Sequence, residues 1–291
     1  MNLIVGATGM LGGEICRLLT EQRMPVRGLA RETSNPERVG QLQKLGVAIV
    51  RGDLKDRASL AAACRGATAV ISTASSTVSR QDGDSIESVD QQGQLHLIEA
   101  AEEAGVKQFV LISFPNATAD FPLQTAKRAV EARLRRGRMT YTILQPTCFT
   151  EVWLSPALGF DPANAMARIY GSGNNKISWI SFQDVAQFAV ASLGSPRARN
   201  AVVKLGGPDA LSPLEVVRLA EQELGKEVAV QHVPEEVLRA QLDAAGDSLQ
   251  KSFAGLMLYY AKGDAIDMAD TLRAFPVRKL KSVREHLQAI A

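Results

Sequence analysis

The sequence contains few of the residues that build disulfide frameworks or zinc sites. Only three cysteines occur among 291 residues, together with three histidines. Cys16, Cys64 and Cys148 are scattered along the chain without metal-ligand spacing, which argues against both kinds of site. A small and odd number of cysteines is typical of a reducing compartment.

Long hydrophobic runs are also missing from the sequence. No apolar stretch approaches the ~20 residues that a membrane-spanning helix needs. The first strand-like run begins almost at Met1 and leaves no room for a signal peptide before it. We therefore expect a cytoplasmic protein, or one in the interior of a reducing organelle if a transit peptide has been removed.

Neither sign of charge is in excess, since 33 basic residues stand against 31 acidic ones and the net charge is +2. The balance of 46% hydrophobic and 22% charged residues is that of a soluble globular protein. A short basic cluster at 133–138 falls at the end of a predicted helix, where cations complement the helix dipole. We therefore predict no contact with nucleic acid.

Short apolar runs alternate with helical patterns through the first 150 residues. The predicted strands are 2–6, 26–30, 47–53, 68–74, 108–113 and 140–146. Because these runs are apolar without interruption, they indicate a parallel sheet that is covered by helices on both faces. The alternation predicts an α/β fold with a doubly wound parallel sheet, the Rossmann fold.

The pattern changes after Phe149, and this change suggests a second unit. We predict a dinucleotide-binding domain over 1–150 and a smaller, mostly helical lobe over 151–291. The lobe is expected to be partly interleaved with the main domain and to lie over the carboxyl ends of its strands. Two helices within it have predicted N-caps, Ser181 in a capping box with Asp184, and Ser212 before a proline.

Three glycines spaced three apart, Gly6, Gly9 and Gly12, separate the first strand from the first helix in "LIVGATGMLGGEI". Such glycines can permit a tight turn, the close passage of a pyrophosphate and the packing of helix on strand. The helix N-terminus would then bind the phosphates. Because this loop follows the first strand of a βα series, we predict dinucleotide binding, the alternative being a purely structural turn. The predicted contacts include Thr8, Met10 and Leu11.

The residue after the second strand indicates which dinucleotide is bound. Arg31 occupies the position where an NAD-binding protein carries an acidic residue for the ribose hydroxyls. A guanidinium can pair with a 2′-phosphate, which a carboxylate would repel. We therefore predict NADP as cofactor, with NADPH preferred over NADH. Two alternatives stay open: Arg31 lies on the surface, or a strand end shifted by one residue places Glu32 in the pocket.

Two further strand ends supply predicted cofactor contacts. Asp53 and Leu54 follow the third strand and could border the adenine, although Asp53 suits a helix cap equally well. The fourth strand ends in Thr73, Ala74 and Ser75, which we also assign to the cofactor site.

Several segments, taken in order, resemble one known family. The strings "GATGMLGG", "GDLKDRASLAAACRGATAVIST", "VDQQGQLHLIEAAEEAGVKQFVLIS", "AKRAVEARLRRGRMTYTILQP" and "ISFQDVAQFAVASL" are similar to the NmrA-like atypical short-chain dehydrogenase/reductases. The resemblance covers roughly residues 1 to 207. It implies a Rossmann fold and an NADP cofactor. Activity is left open, because members include NADPH-dependent quinone and benzylic ether reductases as well as co-regulators and photosystem assembly factors without established turnover.

The tyrosine that typical short-chain dehydrogenases place four residues before their lysine is absent. Lys127 lies where the reductases of the resembling family carry their lysine, but Leu123 occupies the tyrosine position. Lys127 could hold the nicotinamide ribose and act as acid or base if its pKa is lowered by desolvation. The alternative is a surface lysine paired with Glu131 one helical turn later.

Other candidates lie near the ends of the fifth and sixth strands and in the lobe. Ser113 could contact the substrate or the nicotinamide, or else cap the following loop. By resemblance, 145–149 lies along the nicotinamide, with Pro146 fixing the turn and Phe149 forming a wall. In the lobe, Tyr259 or Tyr260 could replace the missing phenol, or both could be helix-face aromatics.

These observations lead to two hypotheses about function. The first is an NADPH-dependent reductase whose small-molecule substrate is a quinone or a conjugated carbonyl compound. The second is a protein without catalysis that senses NADP(H) or assists assembly through a protein partner. The sequence is compatible with a monomer or a homodimer and gives no substrate identity.

Overall fold

The predicted doubly wound parallel sheet is confirmed in the structure, a computed structural model that describes residues 1–78, 80–277 and 279–290. The strands in chain order are β1 (Asn2–Val5), β2 (Val26–Ala30), β3 (Ala48–Arg51), β4 (Ala69–Ser72), β5 (Gln108–Ile112), β6 (Thr140–Pro146), β7 (Phe160–Asp161), β8 (Met166–Tyr170), β9 (Ile177–Ser178), β10 (Ala201–Leu205), β11 (Ala210–Leu211) and β12 (Ala229–Val233). Seven of them form one parallel sheet in the order β10-β6-β5-β4-β1-β2-β3.

Helices follow most strands, as the alternating pattern predicts. They are α1 (Met10–Glu21), α2 (Pro36–Lys44), α3 (Arg57–Cys64), α4 (Gln94–Glu103), α5 (Pro122–Arg136), α6 (Thr150–Trp153), α7 (Phe182–Ser192), α8 (Pro213–Leu224), α9 (Glu235–Ala244), α10 (Ser248–Lys262), α11 (Ala269–Ala274) and α12 (Val283–Ile290). A π-helical segment, Ile86–Gly93, runs directly into α4. Within the described ranges, no helix is both long and apolar enough to span a bilayer.

Alternate residues of each central strand point to opposite faces, and a separate hydrophobic core forms on each. Leu3 and Val5 of β1 pack with residues of α3, α4 and α5 on one face. Ile4 packs with residues of α1 and α7 on the other. Because both faces are covered by helices, the strands are apolar throughout. In sheets of this kind, ligands bind at the edge formed by the carboxyl ends of the strands.

The second half of the chain contributes both to the central sheet and to a lobe. Strand β10 pairs in parallel with β6, and α7 packs against α1. The lobe has its own hydrophobic core and contains α8, α9, α10 and α12. It also contains a three-stranded sheet, β12-β8-β7, and a two-stranded sheet of β9 and β11. The sequence analysis predicted the helices but none of the three strands of the larger lobe sheet.

The capping box predicted for α7 is wrong in its second half. Ser181 is the N-cap and accepts a hydrogen bond from the Gln183 N–H. Asp184 does not accept a hydrogen bond from the Ser181 N–H, as a capping box would require. Glu151, from α6, accepts instead from the Ser181 hydroxyl and the Phe182 N–H. A carboxylate from another helix therefore accepts hydrogen bonds at the N-terminus of α7. The Asp184 side chain is then able to make a contact with a distant segment.

Asp184 is 2% exposed and accepts a hydrogen bond from the Lys281 N–H, which ties the C-terminal segment to α7. Burial raises the pKa of Asp184 from 3.8 to about 6, so the folded protein binds this proton more tightly than the unfolded chain. The contribution of this carboxyl group to the free energy of unfolding is therefore fully present below about pH 4 and is lost as the pH rises through about 6.

We expect Asp184→Asn to increase the free energy of unfolding at pH 7, by at most about 3 kcal/mol for a shift of this size. The amide oxygen can still accept the Lys281 N–H, but no charge is buried. Urea unfolding of the variant and the unchanged protein between pH 4 and pH 7.5 tests this. The difference in free energy of unfolding between the two proteins should become smaller towards pH 4. A difference that does not depend on pH would contradict the account.

Candidate cofactor and substrate site

The loop between β1 and α1 leaves no space for a side chain at two of its three glycines. Gly6 has a φ of +86°, and a Cβ there would lie 2.5 Å from the Thr73 Oγ1. A Cβ on Gly12 would lie 2.1 Å from the Gly6 carbonyl oxygen. These two glycines are therefore required by the turn and by the packing of α1 on β1.

Gly9 has a different role, because its position is open. It is the N-cap of α1, it is exposed, and it makes no side-chain capping bond. The first-turn N–H groups of Met10, Leu11 and Gly12 have no partner within the helix. Unpaired N–H groups at a helix N-terminus, next to an exposed glycine, fit the binding of an anion such as a pyrophosphate.

Arg31 directly follows β2 and forms an ion pair near the carboxyl ends of β1 to β3, a region that we call the cofactor groove. Its Nη1 is 2.6 Å from Oδ2 of Asp84, and the Nζ of Lys55 is 2.5 Å from Oδ1 of the same carboxylate. Glu32 points away, with 79% of its side chain exposed. The alternative that places Glu32 in the pocket is therefore wrong, and two cations converge where the sequence predicted one.

The charge of Asp84 is maintained by its partners. Burial by itself would raise the pKa of this carboxyl, but hydrogen bonds from Lys55, from the Gln81 N–H and from Arg31 outweigh it and hold the pKa below its usual range. A buried anion thus occupies the space between the two cations, as a phosphate group would.

The residues after β3 and β4 follow the strands that neighbour β2 and β1 at the same edge of the sheet. Asp53 accepts a hydrogen bond from the Lys55 N–H in a turn, and the N-cap of α3 is Asp56, so the capping alternative for Asp53 is wrong. Leu54 is 6% exposed and packs into the core under α3 and α4. Thr73 donates to the Val5 carbonyl. Ala74 and Ser75 follow it and are half-buried.

Lys127 lies on the buried face of α5 and not on the surface. Its Nζ is 3.3 Å from Oδ1 of Asp90, which is fully buried in the middle of the π-helical segment. The other oxygen of Asp90 accepts from the Ser76 N–H and hydroxyl. The predicted alternative, a surface pair with Glu131, is therefore wrong. An ammonium fixed by a buried carboxylate has the properties needed to hold a ribose hydroxyl.

Ser113 belongs to a second buried network. Its hydroxyl donates to Oε1 of Glu131 at 2.7 Å, and the same oxygen accepts from Nε2 of Gln145 at 2.9 Å. Arg128 lies 3.0 Å from that oxygen and also contacts Ser113. The hydroxyl therefore does not cap the following loop. This network fixes the carboxyl ends of β5 and β6 relative to α5.

The segment after β6 crosses from the central sheet into the lobe. Pro146 ends the strand, and Phe149 forms a bridge with Ile180 just before α7. Cys148 lies between them and is 2% exposed, and burial raises the pKa of its thiol well above the usual range. Reactive cysteines have lowered pKa values, so this thiol is a packing residue.

A pocket of about 160 Å³ lies beyond the ends of β5, β6 and β10. It is lined by the loop 115–118, by Gln145 and Lys204, and by Tyr259, Lys262 and Asp264 of the lobe. The Tyr259 hydroxyl donates to Oδ2 of Asp264 at 2.7 Å. The lobe thus covers part of the carboxyl edge of the sheet and lines a polar pocket there.

Tyr260 does not reach this pocket. Its ring stacks on Trp153 at 4.9 Å between centroids and meets Tyr170 and Trp179 edge-on. Aromatic contacts of this kind stabilise a core. The two neighbouring tyrosines therefore differ, because Tyr260 packs inside the lobe whereas Tyr259 lines the cavity.

Sequence reasoning missed several of these residues. Lys55, Asp84 and Asp90 lie in segments that read as turn or helix surface, and Lys204 reads as a solvent-facing position in a strand. Arg38, whose Nη1 donates to the Thr8 carbonyl at 2.9 Å, brings a further cation to the glycine loop. For Lys55 and Lys204, the available signal is a cation within a few residues of a strand's carboxyl end, whereas Asp84 and Asp90 lie far beyond the end of β4 and give no such signal. No group of His, Cys, Asp or Glu in the described ranges could hold a metal ion.

Comparisons with known proteins identify one family and several similar chains. A family model described as the NmrA-like family matches residues 2–287. The chain is 31% identical to a photosystem II assembly factor, Ycf39, from Trieres chinensis over 80% of this chain and 72% of that one. It is 30% identical to an NAD(P)H azoreductase from Xenophilus azovorans over 88% of this chain and 85% of the azoreductase.

Among solved structures, an NADPH-dependent quinone oxidoreductase from Escherichia coli in complex with NADPH is similar over the whole chain. The match covers 100% of this chain and 99% of that one with a TM-score of 0.79, at 23% identity. At this level of identity, the likeness establishes the fold.

Proposed function

Because the chain belongs to the NmrA-like family, we propose that it is an NADPH-dependent oxidoreductase that reduces a quinone or a conjugated carbonyl compound. The observation that carries the proposal is the layout of one sheet edge. A glycine cradle and two converging cations lie over β1 to β3, and a polar pocket lies beyond β5, β6 and β10.

Each group along this edge has a proposed part in binding. The α1 N-terminus binds the pyrophosphate, Arg31 and Lys55 bind the 2′-phosphate, and Lys127 holds the nicotinamide ribose. When bound, NADPH supplies the hydride. The chain itself supplies orientation through the fixed ends of β5 and β6, and the lobe forms one wall of the cavity.

Isotope labelling tests the proposal directly. NADPH deuterated at one or the other face of C4 is mixed with the protein and menadione, and its oxidation is followed by absorbance. We expect slower turnover with only one of the two labelled forms, because the chain fixes which face of the ring meets the substrate. Bound NADPH that menadione does not oxidise would overturn the reductase proposal.

The second candidate is an NADP(H)-binding protein without catalysis that works through a protein partner. One observation favours it: Leu123 is buried where typical short-chain dehydrogenases place their tyrosine, so no phenol lies one turn before Lys127. The similarity to a photosystem II assembly factor is compatible with such a role. Quinones need no dedicated phenol, because lysine or solvent can protonate the product, and we therefore favour the reductase.

The preference for NADPH gives a prediction about Asp84. Its carboxylate and a 2′-phosphate would compete for Arg31 and Lys55, so removing the charge should favour the phosphate. We expect Asp84→Asn to tighten NADPH binding about tenfold, since hydrogen bonds to charged groups contribute about 1.5–3 kcal/mol. NADH binding should stay the same. Fluorescence titration measures both affinities, and equal tightening for the two cofactors would contradict the competition.

A further inference from the structure

We propose that Lys204 receives the substrate oxygen on which negative charge develops during reduction, and that its ammonium group protonates that oxygen. The inference rests on the proposed function and adds to it the residue that selects the substrate. It concerns the pocket beyond β5, β6 and β10, and it assigns a substrate class: planar carbonyl acceptors whose oxygen becomes a phenolate or enolate.

The first argument is position along the sheet edge. With the proposed pyrophosphate site at β1, the adenosine half would extend across β2 towards Asp53, which lies just beyond β3. The other half of the dinucleotide is of similar length and therefore reaches from β1 across β4 to β5. Strands β6 and β10 come next, so the pocket that contains Lys204 begins where the cofactor groove ends.

The second argument is register. Lys204 pairs with Gln145 across β10 and β6, and both residues line the pocket. Nε2 of Gln145 donates to Glu131, so this amide is already oriented towards the buried network. Lys204, on an edge strand, is exposed and has room to move towards a ligand.

The third argument is charge. Nζ of Lys262, the other lysine of the pocket, lies 2.7 Å from Oε2 of Glu235. Lys127 is likewise paired with the buried carboxylate of Asp90. Among the residues that the structure describes, none forms an ion pair with Lys204. Lys204 is therefore the cation of this pocket whose charge is available to a substrate.

The fourth argument concerns the proton. The Tyr259 hydroxyl donates its hydrogen to Asp264, and burial raises the pKa of this phenol, so Tyr259 is a poor proton donor to a substrate. In water, an ammonium group and a phenol have similar pKa values, about 10.4 and about 10. Transfer of a proton from a lysine to a hydroquinone anion is therefore nearly balanced in free energy.

The complete step balances in atoms and electrons. Hydride from NADPH forms a new bond to the conjugated acceptor, and the displaced π electron pair moves to the carbonyl oxygen. The N–H bond of Lys204 breaks as the O–H bond forms, which yields NADP⁺, the reduced product and a neutral amine. Because Lys204 is exposed, the amine regains its proton from solvent.

Two variants with the same change of charge test the proposal by kinetics. We expect Lys204→Gln to lower kcat/KM for menadione about a hundredfold, as the loss of one group that stabilises an oxyanion does. Lys107→Gln, at an exposed position just before β5 at the opposite edge of the sheet, should leave it unchanged. Both variants should bind NADPH as the unchanged protein does. Equal kcat/KM for the two variants would overturn the proposal.

A binding measurement separates this proposal from the reductase function itself. The probe is 4-nitrophenol, titrated into the protein with NADP⁺ bound, and its yellow anion is followed by absorbance. We expect bound probe to be ionised at a lower pH in the unchanged protein and in Lys107→Gln than in Lys204→Gln. The same ionisation in all three overturns the role of Lys204. If menadione is not reduced at all, the proposed function fails, and the probe alone then decides whether Lys204 binds an oxyanion.

Discussion

Replacing Gly9 by valine is expected to abolish NADPH binding while the chain still folds. The backbone at Gly9 has a φ of −79°, which valine adopts without strain, and the position is exposed. A Cβ there would lie 3.3 Å from the Gly6 carbonyl oxygen, a close contact that small shifts relieve. The side chain would however stand over the first turn of α1, where the pyrophosphate must approach the N–H groups.

Gly40→Val is the matched control for this variant. A Cβ on Gly40 of α2 meets no atom within 4 Å, so the same residue is added outside the cradle. Circular dichroism should show both variants folded, and fluorescence titration should show NADPH binding only in the control. Gly12 is unsuitable for this purpose, because a Cβ 2.1 Å from the Gly6 carbonyl oxygen would disturb the fold itself. Tight NADPH binding by Gly9→Val would contradict the phosphate site.

Replacing Arg31 by alanine is expected to weaken NADPH binding ten- to a hundredfold and to leave NADH binding nearly unchanged. The guanidinium would lose a charge-assisted contact with the 2′-phosphate, which contributes about 1.5–3 kcal/mol. Lys55 would remain, so binding should weaken without disappearing. The loss should also be smaller at high salt, because a partly exposed ion pair is screened.

The control for this experiment is Arg57→Ala. Arg57 pairs with Glu99 on the surface and lies outside the groove. Its replacement removes the same charge and should leave the affinities for both cofactors unchanged. If Arg31→Ala weakens NADPH and NADH equally, the assignment of Arg31 to the 2′-phosphate is wrong.

The parts of the site that the sequence predicted are local. The strand, the glycine loop and the start of α1 are contiguous, so spacing alone indicated Gly6, Gly9 and Gly12. The residue after β2 could likewise be read from the strand's end, and Arg31 does lie in the groove. The central strands were predictable because their apolar runs are dictated by burial on both faces.

The parts that the sequence missed depend on contacts between distant segments. Arg31 and Asp84 are 53 positions apart, and nothing near either residue indicates their pairing. Lys127 had an acidic residue one turn away on its own helix, but the fold turned the lysine inward to Asp90. Helical spacing predicted the wrong partner because it takes no account of which face of the helix is buried.

The lobe sheet was missed for a related reason. Strand β7 has two residues, and β8 pairs in parallel with β12 across a long intervening segment. Short strands and non-local pairs leave weak patterns in a sequence. The pocket that contains Lys204 is formed partly by the lobe. In the sequence, Lys204 looks like a solvent-facing residue of a strand, and only the folded chain places it beside lobe residues.

The most direct test of the account is one fluorescence experiment with the unchanged protein. NADPH and NADH are titrated separately, and menadione is then added to the same cuvette. We predict that NADPH binds at least about ten times more tightly than NADH, and that the fluorescence of bound NADPH disappears when menadione is added. Tight binding of NADPH that remains reduced in the presence of excess menadione would contradict the central claim.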